Sequence, residues 1–357
     1  MGRGWSDNTA LAESGREGSS TVSHRGMLRV FLLVSASVCA GVGVPVSWAA
    51  PTGRIFVTLA RGHRVDVFEP DGSLLASLPT GISPRGMAAL DGKLYVANRG
   101  LDRAPGSSIT RIDLATLTPE VTLLACEGCA PYSLLFDAKN RLWMSAQAHR
   151  AVYRLDPPYT SPAGSVLASW GWPTELASMG DGDLLVGIRG ADEVGILDEE
   201  GMSIQRLGIG PAPSSVFSRP GKKEGWIATN PMSALHSVSG EGKEYTEEKF
   251  VTPGFLGDGV FTPDGRFVLV CSGEAKAILI YDPETGEERG RLVISPAPRR
   301  IVMAPDGKYV AVSLDGNAEI AVVDITDLEH PVLETSFTVE GKIGGLLWLG
   351  STQEGKQ

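Results

Sequence analysis

Glu175, Asp258, Arg85, Arg299 and Arg300 are the residues whose types could do chemistry together. A carboxylate moves a proton as general acid or base. A guanidinium holds an anionic group through its planar fork of donors. Apart from the two adjacent arginines, these side chains are far apart in sequence, so a joint role needs a fold that gathers them. Their placement is not random. Arg85 follows Pro84, Tyr132 follows Pro131, Ser214 and Ser215 follow Pro213, Arg299 and Arg300 follow Pro298, and Thr174 and Glu175 follow Pro173.

Three Arg-Gly pairs form a second set, Arg61-Gly62, Arg99-Gly100 and Arg189-Gly190, with Arg150 at the comparable place in another segment. Glycine there permits a turn, and the arginines would rise from one rim. Drift from one ancestral loop explains the same pattern without function.

Cys126-Glu-Gly-Cys129 is a third feature. No His follows Cys129, which excludes c-type haem attachment, and a second cysteine pair for a four-thiolate zinc site is missing. A local disulfide pinning a loop is the expectation, with a redox-active thiol pair as the alternative. Cys271 lies in an apolar run and reads as an inert core thiol. His63, His149, His236 and His330 do not pair at ligand spacing. Serine-hydrolase elbow, P-loop and zinc-protease motifs are absent.

The elements that would position these groups are written in residues 261–295. Thr262-Pro263-Asp264-Gly265 is a turn, the apolar run from Phe267 to Cys271 follows, Ala277 to Tyr281 is a second run, and Leu292 to Ile294 a third. Residues 297–325 repeat the same order, and residues 83–100 repeat its first half. Seven copies begin near residues 53, 83, 130, 172, 212, 255 and 297, and the leftover 342–350 is one apolar strand. Pro84 to Pro298 spans five units, a period of about 43 residues, as in four-stranded propeller blades. The first copy lacks an inner strand and the chain end supplies one. The expected architecture is therefore all-β, a seven-bladed β-propeller whose C-terminal strand joins blade 1 and removes free edges. Third strands often end in Asp (Asp113, Asp156, Asp198, Asp282, Asp324), which reads as turn initiation.

These units, with Tyr95-Val-Ala-Asn98 followed by Arg99-Gly100, resemble YVTN-type β-propeller repeats over residues 53–350. The resemblance implies the propeller and leaves the activity open, because binding modules, surface proteins and enzymes share it. The Trp-Asp signature of WD40 repeats is missing and Gly-His does not recur from unit to unit, and the Trp-rich docking repeats of quinone-dependent propeller dehydrogenases are missing as well.

In a propeller, the entries to the inner strands and the loops between second and third strands share one face. That geometry would bring Arg85, Tyr132, Glu175, Asp258, Arg299 and Arg300 to the mouth of the central channel, with Arg61, Arg99 and Arg189 around it. The functional expectation is a polar funnel for an anionic ligand. The alternative is a set of structural ion pairs around water. The long loop expected at 98–108 is a further contact candidate. Glu175, Asp258, Asn98 and Asn230 are the residue types that hold the cation of propeller lactonases, but the arginines beside them argue against a metal, and no cofactor is expected.

The net charge of −10 argues against nucleic acid as a partner. Residues 27–49 read as a secretory signal, with Arg29, an apolar run and small residues at Ser47 and Ala49. A retained anchor and a lipoprotein site at Cys39 are the alternatives. Residues 1–26 read as a disordered leader or a misassigned start before Met27, and residues 50–357 as one propeller domain. Together these place the protein in the periplasm or outside the cell, as a monomer. With no catalytic motif on view, the first functional expectation is a noncatalytic binding or scaffold module holding an acidic protein segment or a small anionic ligand on its arginine-rich face. The alternative is a lactonase-like hydrolase or a lyase in the funnel, with Glu175 or Asp258 as acid/base.

Overall fold

A computed structural model of the chain describes residues 50–159, 165–168, 171–230, 234–316 and 318–350. The expected leader, the signal at 27–49 and Cys39 lie outside the described residues. The described residues form seven four-stranded antiparallel sheets. Each sheet is a meander in chain order, as the tight turns between short apolar runs require. Blade 1 is the exception that closes the ring. Its inner strand, Ile343–Leu349, comes from the chain end and pairs antiparallel with Arg54–Leu59, setting Phe56 opposite Leu347.

The inner strands of blades 2 to 7 are Pro84–Leu90, Pro131–Phe136, Trp172–Ser178, Pro213–Ser218, Leu256–Phe261 and Pro298–Met303. Second strands such as Leu142–Ala146 and Val268–Ser272 are buried along their whole length. They lack hydrophobic alternation because neighbouring blades cover both their faces. The core accordingly lies between blades. Trp143 and Val152 of blade 3 pack with Leu184, Val186 and Ile188 of blade 4. Outer strands such as Glu288–Val293 are largely open to solvent.

The turn aspartates do what their side chains favour. Asp113, Asp198, Asp282 and Asp324 accept backbone N–H groups from the residues that follow them. These bonds end the third strands of blades 2, 4, 6 and 7.

Candidate functional site

Every inner strand of blades 2 to 7 carries a register irregularity just after it enters the sheet. It falls between Pro84 and Met87, Pro131 and Leu134, Pro173 and Leu176, Pro213 and Ser215, Leu256 and Gly259, and Pro298 and Arg300. Proline at a strand start has no N–H to lose, and a bulge beside it re-aims the next side chains. Arg85, Tyr132, Glu175, Asp258 and Arg299 all sit in these bulges. Hydroxyls on second strands bond the kinked backbone. The Ser145 hydroxyl accepts from Ser133 N–H at 2.9 Å and donates to the Thr174 carbonyl at 2.6 Å. Thr58 donates to the Arg85 carbonyl at 2.9 Å, and Ser313 accepts from Arg300 N–H at 3.0 Å.

Of these bulge residues, Arg85, Tyr132, Glu175 and Asp258 line a central cavity of about 300 Å³, near the lower end of small-molecule sites, and Arg299 does not. Arg85, Tyr132, Ser133, Glu175, Ser215, Asp258 and Arg300 line it. The cavity opens through Arg85, Tyr132, Asp258 and Arg300 into a wider mouth of about 760 Å³ that also holds Arg99, Arg189, Arg299 and Lys342. Arg61 lies beside Arg299, Arg300 and Lys342 on the same rim. The anticipated groups are thus gathered at one end of the ring.

Arg300 is the hub. Its Nη1 lies 3.3 Å from Glu175 Oε1 and 3.1 Å from Asp258 Oδ2, with the three side chains between 16% and 20% exposed. Burial, then the charge of Asp258, pushes the Glu175 carboxyl up to about 7 against the opposing pull of Arg300. Burial also raises Asp258, while Arg300 and Arg299 pull it down. The neighbouring Ser215 hydroxyl favours the charged form of each carboxyl. The pair therefore offers one group that holds its proton near neutral pH and one that two cations help to ionise.

Arg85 differs from Arg300. Its Nε is buried without a hydrogen-bond partner. No carboxylate lies within ion-pair distance of Arg85 among the described residues. Burial comes first in holding its guanidinium below the usual range; Tyr132 opposes this, and the charges of Arg300, Arg99 and Arg299 add to it. Ion pairing explains Arg300 without any ligand. It does not explain Arg85.

Around the mouth, Arg99 is held by Gln147 at 3.0 Å and Asp102 at 2.8 Å, and Arg299 reaches Asp315 at 3.5 Å. Glycine takes positive φ after Arg99 and Arg189, at +76° for Gly100 and +85° for Gly190. Gly62 does not, and His63 adopts the left-handed conformation in its place. Cys126 and Cys129 form the expected local disulfide. Their loop braces the 98–108 hairpin: Cys126 N–H and Ala130 N–H donate to the carbonyls of Ser107 and Gly106.

The histidines and asparagines are used elsewhere. His63 Nδ1 accepts from Ser83 N–H, and His149 bonds the Tyr153 hydroxyl, so the two share no partner. Asn98 is spent on Gly81, Ser108 and Thr110, and Asn230 on both backbone groups of Leu256. No cluster of three or more potential His, Cys, Asp or Glu ligands occurs among the described residues.

Close backbone approach sets the geometry. A Cβ on Gly257 would stand 2.1 Å from the Arg299 carbonyl oxygen, so the strands carrying Asp258 and Arg300 meet only because residue 257 is glycine. Gly257→Ala is expected to cost about 1–3 kcal/mol by overpacking. Chemical denaturation would measure it, and an unchanged midpoint would show that the strands can part freely.

No family model matches the chain, and no curated protein matches it. Solved structures do. The Pseudomonas aeruginosa periplasmic gluconolactonase shares 16% identity at a TM-score of 0.68, over 84% of this chain and 99% of that one. An inferred 6-phosphogluconolactonase of Bacteroides fragilis shares 14% at 0.68, over 84% and 98%. A chain of Kuenenia stuttgartiensis hydrazine synthase shares 13% at 0.66, over 81% and 99%. At such identities the likeness establishes the propeller. It also corrects the first functional expectation. The noncatalytic scaffold rested on the lack of a catalytic motif, yet propellers of this shape are described as lactonases.

Proposed function

We propose that this protein is a lactonase-like hydrolase of an anionic sugar-derived lactone, acting in the central cavity through Glu175 and Asp258. The observation that carries the reading is the mostly buried carboxylate pair on Arg300, which shares its cavity with Arg85, an arginine that has no acid partner among the described residues. Asp258, beside Arg300 and near Arg299, takes a proton from water as the water oxygen bonds to the lactone carbonyl carbon. Arg85, which lines the cavity without an acid partner, offers its guanidinium charge to the developing oxyanion. The ring C–O bond then breaks, and Glu175 gives its proton to the leaving ring oxygen. The product is the open hydroxy acid, and the pair has exchanged one proton between its members. Arg300 orients both carboxylates. Arg299 and the other mouth cations draw an anionic substrate inward.

The chain fits among YVTN-type propellers by its repeats. The reading of residues 27–49 as a signal, and the periplasmic placement of one structural neighbour, support export of residues 50–357 as a single domain.

Hydrolysis of δ-lactones by the purified protein tests the reading, with background hydrolysis subtracted. A carboxylate- or phosphate-bearing sugar lactone should be opened with a higher kcat/KM than its neutral counterpart. Absence of turnover across acidic and neutral lactones would refute it.

A further inference from the structure

Beside the mouth, and sharing Arg99 and Arg189 with it, lies a hollow of about 440 Å³. Its walls include Trp172, Leu101, Arg99, Arg189, Asp102 and Gln147. Trp172 is 49% exposed and Leu101 55% exposed, an unusual outlay of large apolar surface on a rim of charges. Trp172 is also the cross-strand partner of Arg189. Its ring rests on the Arg189-Gly190 turn, where a Cβ on Gly190 would stand 3.3 Å from the indole. One side of the indole is seated and the ring is half open to solvent. Arg189 forms no ion pair among the described residues, whereas Arg99 is fixed by Gln147 and Asp102.

We infer that this hollow is a second substrate subsite, which holds an acidic sugar ring stacked on Trp172 with its carboxylate on Arg189. The inference rests on the proposed function and narrows its substrate to a lactone carrying a second, uronic-type sugar. Three features point to that chemistry. A flat indole takes the C–H face of a pyranose. Arg189 and Arg99 supply cations for a carboxylate. Gln147 and Asp102 offer polar atoms for hydroxyls at the edge. Trp172 and Glu175 lie on one inner strand, Trp172 in the wall of the hollow and Glu175 in the bulge that lines the central cavity. The hollow and the mouth share Arg99, Asp102, Gln147 and Arg189, so one molecule can occupy both.

Calorimetric binding separates this inference from the reading it rests on, because it needs no turnover. The probes are digalacturonic acid, galacturonic acid and neutral cellobiose. Digalacturonic acid should bind more tightly than either of the others. Trp172→Ala and Arg189→Ala should each weaken it about tenfold. Trp172→Phe should restore most of the loss, and the weaker binding of galacturonic acid should fall as well in Trp172→Ala. No binding of digalacturonic acid, equal binding of cellobiose, or no effect of Trp172→Ala would each overturn the subsite. Lactone turnover without disaccharide binding would leave the hydrolase standing and remove the subsite. Disaccharide binding through Trp172 without lactone turnover would do the reverse.

Discussion

Arg300→Ala is expected to destabilise the protein by about 3–5 kcal/mol at neutral pH, the cost of leaving buried charges without their partner. Arg300 is the shared cation of Glu175 and Asp258, and all three side chains are mostly buried. The loss should depend on pH, and its sign follows from the carboxyls. Both are held above their ordinary values even with Arg300 present. A raised folded-state pKa gives stability that is complete below the unfolded pKa and is lost as pH rises through the folded one. Removing Arg300 raises both further. The variant should therefore lie nearest to wild type below pH about 4 and fall away as pH rises through 7. Urea denaturation at pH 4, 6 and 8 would show this. A deficit of the same size at all three would mean that Arg300 acts through packing alone. Adding Glu175→Gln to the variant should recover part of the loss at pH 8, since one unpaired charge is then gone.

Glu175→Gln is expected to lower kcat for lactone opening about 10²–10⁴-fold with a small change in KM. The amide keeps the size and polarity of the side chain and removes its transferable proton. The burial that raises Glu175 to about 7 suits it to hold that proton near neutral pH. Asp258→Asn should be similarly damaging, because it removes the base. The two losses should not add, since both groups serve one step. A variant whose KM rises while kcat stays the same would place Glu175 in binding instead.

The ring was legible because its units are punctuated. Turns such as Thr262-Pro-Asp-Gly and apolar runs such as Tyr309–Val312 recur with a steady period, and a missing strand at one end matched a spare one at the other. The gathering of Arg85, Glu175, Asp258 and Arg300 followed from that geometry alone. Local conformation was harder to read. The bulges that aim these side chains arise from pairing with the second strand, and a single strand's sequence shows only the proline before them. Glycine after arginine suggested three like turns, but at Arg61 the left-handed residue is His63. Asn98 and Asn230 had residue types that suit a cation, but the amide of Asn98 is bonded to Gly81, Ser108 and Thr110 and that of Asn230 to the backbone of Leu256. Trp172 escaped notice because an aromatic beside an entry proline looks like core. Only the folded ring shows it on the rim. The scaffold expectation failed for a related reason: a site assembled from separate blades leaves no motif in any one of them.

The pH dependence of kcat/KM for an acidic sugar lactone, measured on wild type beside Glu175→Gln, tests the central claim most directly. The account predicts a rate that falls as pH rises through about 7, as Glu175 gives up its proton. The same alkaline limb should vanish from the residual rate of Glu175→Gln. A wild-type profile flat through that region, or an alkaline limb that survives the substitution, would contradict the assignment of Glu175 as the acid.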